Sequence, residues 1–296
     1  MKQTTAIFFA IGAAALYAVS SPVSKLLLRE IPATMMAAFL YLGAGLGVSI
    51  LRIFQKRSNS QELHLTKEEL PYTIGMVLLD IAAPIFLMAG LTMTSAANAS
   101  LLNNFEIVAT SIIALCIFKE SISKRLWKAI FLVTLSCILL SVEDLSSFDF
   151  SLGSVFVLCA CICWGFENNC TRMLSSKNPL EIVVIKGFGS GLGALCIALF
   201  LGERFTEIGF ILIALLLGFV SYGLSIMLYI YAQRYLGAAK TSTYYAVAPF
   251  IGVLLSFLIF RETPSILFVI ACMIMIAGTY FASTEKKLLA LISIEC

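Results

Sequence analysis

The sequence predicts an all-α integral membrane protein of ten transmembrane helices, arranged as two inverted repeats of five helices. Composition is the first observation: 60% of the 296 residues are hydrophobic and 12% are charged, whereas about 25% of a soluble domain is charged. An internal repeat is the second. One apolar run opens with residues 95–98 (SAAN) and closes with 118–120 (FKE). Another opens with 237–240 (GAAK) and closes with 260–262 (FRE), at a constant offset of 142 residues from 95 to 237.

Ten stretches of the chain are long and apolar enough to cross a bilayer, which takes about 20 residues. Met1 and Lys2 resemble the start of a signal peptide, but the first apolar stretch continues to about Leu28, so we expect a retained first span. The connections are short and leave no room for a separate soluble domain. The predicted spans are 5–28, 33–54, 71–93, 96–118, 124–142, 152–174, 180–201, 208–232, 238–260 and 264–283.

The distribution of Lys and Arg predicts the orientation. Cytoplasmic loops of membrane proteins carry an excess of basic residues, and most of the 20 Lys and Arg fall in segments that share one side when the N-terminus is inside. We therefore expect a multi-pass protein of the cytoplasmic membrane with both termini inside. The outer segments then hold Lys25, Arg29, Arg204 and Arg261.

The repeat also matches at its other end. Tyr17 corresponds to Trp164 and Lys25 to Arg172, and each copy has a proline seven residues further on. Because five spans are an odd number, the second copy enters the membrane from the opposite side, which makes an inverted repeat. We predict a first repeat over 1–146 and a second over 147–296, which includes a short tail.

These motifs resemble the EamA-type members of the drug/metabolite transporter superfamily over nearly the whole length. The matching features are the aromatic before a basic helix end, the small residues that open the fourth and ninth spans, the segment 248–250 (APF) and the charged pairs that end both runs. The resemblance implies a ten-helix carrier with a central cavity and alternating access. Members of the family export amino acids and other metabolites, and some move sugars or drugs. The first half departs from the pattern, because Ile107 stands where the second half has Pro249 and Glu106 lies beside it.

Four ionisable residues fall inside predicted spans, where a charge costs about 2.5–3.5 kcal/mol on insertion scales. They are Asp80, Glu106, Glu167 and Lys186. Asn103 and Glu106 are three residues apart, so we expect them to share a helix face and line the cavity. There Glu106 binds a cationic group or carries a proton. The alternative is that Glu106 pairs with Lys186, or lies near Asp80, and only locks helices together.

The other three intramembrane charges leave alternatives open. Three alternatives are open for Lys186: it extends its ammonium group to the inner interface, it neutralises Glu106 or Glu167, or it binds a substrate carboxylate. Asp80 has no basic residue in its own span and needs a partner from another helix or a proton. Glu167 lies nearer a helix end and has a functional or a structural role. Each half places an Asn-Asn pair beside a glutamate.

Aromatic, proline and glycine residues complete the set of candidates. Tyr17, Trp164 and Tyr245 line the cavity or pack as aromatic residues. Pro84 and Pro249 lie inside predicted spans and are hinge candidates, since proline frees a backbone carbonyl there. Glycine clusters in the second and seventh spans predict close helix contacts. They are 43, 45 and 47, and 187, 189, 191 and 193.

The functional prediction is a secondary transporter, an exporter of a small polar metabolite such as an amino acid. No nucleotide-binding loop is present, and one histidine cannot supply a Ser-His-Asp set, so we expect no enzyme activity. We expect no cofactor or metal, because the nine cysteines lie mostly in apolar runs without ligand spacing; proton coupling is left open. The expected partners are the lipid bilayer and a small-molecule substrate, with no nucleic acid and a monomeric state. The alternatives are a lipid-carrier flippase or a drug efflux protein of the same fold, and then a membrane-embedded enzyme.

Overall fold

A computed structural model describes residues 3–54, 64–117, 119, 122–144, 149–174, 177–229, 231–232, 244–261 and 263–292. Almost all of the regular structure in this part of the chain is helical. A two-stranded antiparallel ribbon, β1 (Val142–Asp144) and β2 (Asp149–Phe150), is the exception. The helices are α1 (Gln3–Ala18), α2 (Ser20–Leu27), α3 (Ala33–Phe54), α4 (Leu70–Met93), α5 (Ala96–Leu102), α6 (Phe105–Cys116), α7 (Lys124–Ser141), α8 (Leu152–Leu174), α9 (Pro179–Phe200), α10 (Ile208–Gly218), α11 (Ala248–Phe260) and α12 (Ile266–Ile292).

Seven helical segments of the described chain are long and apolar enough to cross a membrane. Two shorter apolar helices, Ala248–Phe260 and Ile266–Ala282, accompany them. The helix α7 coincides with the fifth predicted span, but Lys124, Arg125 and Lys128 occupy its first turns. The seven segments are Thr4–Leu27, Ala33–Ile53, Lys67–Met93, Ala96–Cys116, Leu152–Leu174, Pro179–Phe200 and Ile208–Tyr229.

The fourth predicted span contains a turn, where the sequence predicted a continuous helix. Between α5 and α6, the amides of Asn104, Glu106 and Ile107 bond to carbonyls three residues back rather than four. The Asn104 side chain also donates to the carbonyl of Leu101 at 3.2 Å. Asparagine side chains compete for backbone groups in this way, which explains why the helix stops here. Asn103 lies at the end of α5 and Glu106 in the first turn of α6, and the hydrogen bond from the Glu106 amide to the Asn103 carbonyl keeps the two residues one turn apart on a common side. That they line a cavity together stays a prediction.

The helices α3 and α9 cross where both lack side chains. A Cβ atom placed on Gly187 would lie 2.5 Å from the Cα of Gly45, which is far inside van der Waals contact. On its other side α3 meets α10, where a Cβ on Gly43 would lie 2.0 Å from the carbonyl oxygen of Leu215. The predicted role of these glycines in close helix packing is confirmed. Small residues allow this approach because membrane helices associate largely through close packing.

Helix contacts relate the two halves of the chain. The helix α4 packs on α8, and the π-helical continuation of α10 (Phe219–Leu224) packs on α1. The helices α3 and α9 pack on each other, as do α7 and α12. In the described chain, left-handed backbone at residues other than glycine occurs at Lys119 (φ 54°) and Arg261 (φ 53°), the two positions that the sequence repeat matches.

The basic end of the first predicted span binds another helix end. Lys25, in the last turn of α2, donates from Nζ to the carbonyl oxygens of Leu91 and Thr94, the latter at 2.8 Å. Both acceptors lie at the end of α4. Cations favour helix C-termini, where carbonyl groups have no partner inside the helix. Lys25 therefore links the ends of the first and third predicted spans.

We predict that Gly187→Ala lowers the free energy of unfolding of the detergent-solubilised protein by about 1–3 kcal/mol, and with it the unfolding midpoint. The reason is that the added methyl group overpacks the crossing of α3 and α9. Gly209→Ala is the matched control: it adds the same atom to a helix, and a Cβ there meets nothing within 4 Å. The measurement is the unfolding midpoint of both variants and the parent. Equal midpoints for Gly187→Ala and Gly209→Ala would contradict the packing role.

Candidate functional site

An ionic triad of buried side chains joins three helices. Lys186 on α9 lies with its Nζ 3.1 Å from Oδ2 of Asp80 on α4 and 2.9 Å from Oε1 of Glu167 on α8. The exposed fraction of the side chain is 11% for Lys186, 0% for Asp80 and 3% for Glu167. Lys186 therefore neutralises carboxylates, as one sequence alternative proposed, and its ammonium does not snorkel to the interface.

Neighbouring hydroxyl groups hold the two carboxylates of the triad. Tyr41 on α3 donates from its hydroxyl to Oδ1 of Asp80 at 2.9 Å. Thr171, one turn after Glu167 on α8, donates to Oε1 of that glutamate. Asp80 thus has the partner from another helix that its sequence context required. A buried charge is tolerated only when it is paired and hydrogen-bonded, and these contacts meet that condition.

The triad lies well inside the helix bundle. Lys177, in the turn between α8 and α9, contacts Glu69 at the start of α4 at 2.9 Å, so these helix ends lie at the same level. With a rise of 1.5 Å per residue, Glu167 and Lys186 lie roughly 10 Å from that level and Asp80 roughly 15 Å. The triad therefore lies about two to three helical turns into the bundle from these helix ends.

Glu106 lies apart from the triad and binds an amide. Asn168 donates from Nδ2 to Oε1 of Glu106 at 2.6 Å, and the same nitrogen lies 3.4 Å from Oγ1 of Thr110. Lys186 makes its two ion pairs with Asp80 and Glu167 instead. The structure therefore contradicts the alternative that Glu106 forms an ion pair with Lys186. The Glu106 side chain is half-buried.

Two other candidate residues lie in packed surroundings. Asn103 is buried, and its Oδ1 accepts from the Sγ of Cys161 on α8 at 3.9 Å. Trp164 is 6% exposed and belongs to the main hydrophobic core. Asn103 thus contacts α8, and Trp164 is a residue of α8 that packs in the core. Whether either contacts a substrate stays a prediction.

Five tyrosine rings form a continuous group that we call the tyrosine wall: Tyr17, Tyr41, Tyr222, Tyr229 and Tyr245. Ring centroids are 5.9 Å apart for Tyr17 and Tyr222, 5.9 Å for Tyr17 and Tyr245, 5.2 Å for Tyr41 and Tyr222, and 5.0 Å for Tyr229 and Tyr245. Sequence reasoning singled out Tyr17 and Tyr245 and missed the other three. Tyr222 lies in the π-helical continuation of α10, a geometry that recurs at functional sites and that the hydropathy pattern does not reveal.

The two hinge candidates have different positions. Pro84 is buried inside α4, one turn after Asp80, and α4 continues through it. Pro249 is the second residue of α11, directly after a turn at 246–247. The sequence placed Pro249 inside a span; proline at a helix start instead leaves the hydrogen bonds of the helix intact. A hinge role for either residue stays a prediction.

A cavity of about 220 Å³ lies at a different level from the triad, where α5 and α12 begin and α7 and α11 end. Asn98 lines it and donates from Nδ2 to the carbonyl oxygen of Leu140 at 3.0 Å and to Oγ of Ser154 at 3.2 Å. In the described residues, His, Cys, Asp and Glu side chains form no group of three that could hold a metal ion.

Comparisons with known proteins identify a matching family, a related sequence and a similar fold. A family model described as the EamA-like transporter family matches residues 4–142 and again residues 151–284. An uncharacterized transporter from Methanothermobacter thermautotrophicus is 25% identical over 310 residues, which cover 97% of this chain and 88% of the relative. A crystal structure of another protein superimposes with a TM-score of 0.67 at 16% identity, covering 95% of this chain and 96% of that one. At this identity the structural likeness concerns the fold alone.

We predict that Lys186→Gln lowers the free energy of unfolding by about 3–5 kcal/mol, because it leaves two buried carboxylates without a cation. The double variant Lys186→Gln with Asp80→Asn should recover part of this loss, since one orphaned charge is removed as well. Lys124→Gln, at an exposed position in α7, is the control and should change stability by less than about 0.5 kcal/mol. Thermal unfolding in detergent measures all three. A Lys186→Gln protein as stable as the control would contradict the role of the triad.

Proposed function

The chain belongs to the EamA-like transporter family, and we propose that it is a secondary transporter that exports a small polar metabolite, such as an amino acid, across the cytoplasmic membrane. It is a multi-pass membrane protein of a transporter family. The observation that supports transport of a small polar metabolite is the pair of polar sites on α8. These are the ionic triad at Glu167 and the contact of Glu106 with the next residue, Asn168. Ionisable groups at such a depth mark substrate or ion pathways in membrane proteins.

Stability alone does not account for these sites. A well-packed apolar core of similar volume is often as stable as a buried ion pair or more stable, so four ionisable side chains inside the bundle need another reason. Glu106 is half-buried and the Lys186 side chain is 11% exposed, so both keep some exposed surface. Groups of this kind can meet a polar solute or exchange a proton. This chemistry supports the proposal that the protein recognises a small polar metabolite.

Alternating access between two inverted repeats is the proposed mechanism. It is supported by two contacts between equivalent spans of the two repeats: α3 packs on α9, and α7 packs on α12. The left-handed backbone at both Lys119 and Arg261 also supports it. The double match of the family model agrees with repeats over 1–146 and 147–296. In this proposal each of the seven long segments is one span, and α5 and α6 together form one of them. The helices α7, α11 and α12 belong to three further spans, which makes ten. The two halves rock against each other around the polar sites.

We propose that both termini lie inside, as the basic residues predict. A green fluorescent protein fused after residue 292 should then fluoresce in a bacterial host, and alkaline phosphatase fused there should be inactive. Phosphatase fused after Arg204, between α9 and α10, should be active because that connection is outside in the same topology. The reverse pattern of activities would contradict the orientation and leave the transport proposal intact.

We propose that Glu106 couples transport to protons, and Glu106→Gln tests this in proteoliposomes. The parent should show flux that depends on pH, whereas the amide cannot titrate and should give a flat pH profile. The rate should fall by about tenfold or more, because a hydrogen bond to a charged group is lost. Glu181→Gln, which removes a carboxylate bonded to His64 at the protein surface, is the matched control. Full, pH-dependent transport by Glu106→Gln would refute proton coupling at this residue.

Counterflow against a panel of metabolites identifies the substrate class and separates the competing functions. A transporter of soluble metabolites should exchange at least one member of the panel in simple phospholipid vesicles. A lipid-carrier flippase should instead require a specific lipid, and an embedded enzyme should convert a compound without moving it. Absence of flux for every soluble solute would count against the proposed function.

A further inference from the structure

A basic patch, formed by Lys124, Arg125 and Lys128, lies at the first turns of α7. Both lysines are exposed, and the segment 122–141 contains no Asp or Glu. None of the three side chains forms an ion pair with another residue in the described part of the chain, whereas the ammonium groups of Lys177 and Lys186 contact carboxylates. The patch thus presents three positive charges that the described protein does not neutralise.

The backbone at the start of α7 adds to this positive charge. The amides of Arg125 and Leu126 donate to Oγ of Ser123 at 3.1 Å and 3.3 Å, which caps the first turn. The N-terminal end of a helix carries partial positive charge and favours anions over cations. Lys124 and Lys128 are also one turn apart, a spacing at which like charges repel. An anion bound at this turn would relieve both effects.

Aromatic rings of α12 hold the third basic side chain of the patch. The guanidinium carbon of Arg125 lies 5.8 Å from the centre of the Tyr280 ring and 5.6 Å from that of Phe281. Its Nε is buried and has no hydrogen-bond partner among the described residues. A guanidinium stacked on aromatic faces stays charged. Arg125 therefore fixes a positive charge at the contact between α7 and α12.

An exposed apolar strip continues from the patch along the same side of α7. It consists of Trp127, Phe131 and Ile138, whose side chains are all exposed. At 3.6 residues per turn, these three residues together with Lys124 and Lys128 occupy an arc of about 100° on the helix surface. One side of α7 therefore presents bases at its start and apolar side chains along the rest of its length.

A second exposed strip lies on the partner helix. The helix α12 packs on α7 and exposes Met273, Ile276 and Tyr280, and this strip reaches the patch where Arg125 stacks on Tyr280. In the proposed topology α7 is the fifth span. Its 18 residues measure about 27 Å, close to the thickness of the hydrocarbon core. The patch then lies at the level of the lipid headgroups, and both strips lie beside the acyl chains.

We infer that this surface binds an anionic phospholipid, with its phosphate at Lys124, Arg125 and Lys128 and its acyl chains along the strips of α7 and α12. A zwitterionic lipid has the same chains, but its own ammonium group offsets the phosphate charge. A soluble phosphate lacks the chains. Trp127 suits this position, because tryptophan is enriched at the membrane interface. In the proposed orientation the lipid belongs to the inner leaflet, where anionic headgroups attract basic residues close to a span.

Quenching of fluorescence by brominated lipids tests this site on the full-length protein in mixed bilayers. The chain has two tryptophans: Trp127 is exposed beside the patch and Trp164 is buried, so quenching by contact reports on Trp127. Brominated phosphatidylglycerol should quench more strongly than brominated phosphatidylcholine, with a preference of about fivefold or more, the effect of one base near a surface. High salt should reduce the preference, because exposed charges are screened. Trp127→Phe should remove the difference between the two lipids.

Two double variants separate the patch from the general positive charge of the protein. Lys124→Gln with Lys128→Gln should lower the preference for phosphatidylglycerol to about one. Arg52→Gln with Lys67→Gln is the matched control, because it removes two exposed bases on the same proposed side, and it should keep the preference. Both proteins should unfold at the parent midpoint in detergent without lipid, which shows that they fold.

Three results of the quenching measurements would overturn the lipid site. The first is equal quenching of the parent by both brominated lipids. The second is an unchanged preference in the Lys124→Gln, Lys128→Gln protein. The third is a control variant that loses the preference to the same extent, because the attraction would then come from the basic residues of the whole face.

Unfolding in a neutral detergent distinguishes a lipid from a soluble anion. Phosphatidylglycerol should raise the unfolding midpoint of the parent in a saturable manner, and phosphatidylcholine should not. Glycerol 3-phosphate and inorganic phosphate, which carry the charge without acyl chains, should leave the midpoint unchanged. Stabilisation by either soluble phosphate to the same extent as by phosphatidylglycerol would overturn the lipid site. These measurements do not involve flux, so their outcome is independent of the proposed transport function.

Discussion

Lys186 places an ammonium group between two carboxylates inside a membrane helix bundle, and the arrangement of the surrounding helices depends on that contact. Each charge would be costly alone, so α4, α8 and α9 must hold Asp80, Glu167 and Lys186 within ion-pair distance. The residue after Lys186 is Gly187, where α9 meets α3 without a side chain between them. Close packing on one side of α9 and ion pairing at the adjacent residue thus fix its position together.

Helix α8 connects the triad to the second polar site. Glu167 faces Lys186, and the next residue, Asn168, donates to Glu106 on α6. Consecutive residues of a helix point about 100° apart, because there are 3.6 residues per turn. One turn of α8 therefore serves two neighbouring helices. Any shift of α8 would alter both contacts, which gives the two sites a physical connection.

Interrupted helices flank Glu106 and Tyr245, two of the candidate residues. The turn at Asn103–Asn104 ends α5 directly before Glu106, and the turn at 246–247 follows Tyr245 and precedes α11. Given the 142-residue offset, the two interruptions fall within one residue of equivalent positions. Irregular backbone at this depth is tolerated where it is buried in protein or lines a cavity. At these positions the second half has Ala248 where the first half has Glu106.

The amino-acid sequence by itself determined that this is a multi-pass membrane protein, that its two halves match at one offset and that four ionisable residues lie in apolar stretches, because apolar length and charge density are local properties of the chain. It also indicated that the glycines pack helices closely. Only the tertiary structure decided that Lys186 pairs with Asp80 and Glu167, that Asn168 binds Glu106, and that Tyr222 joins the tyrosine wall. The rotation and tilt of a membrane helix are set by packing against its neighbours. Hydropathy therefore identifies a buried charge, and the choice of its partner depends on helices far away in the sequence.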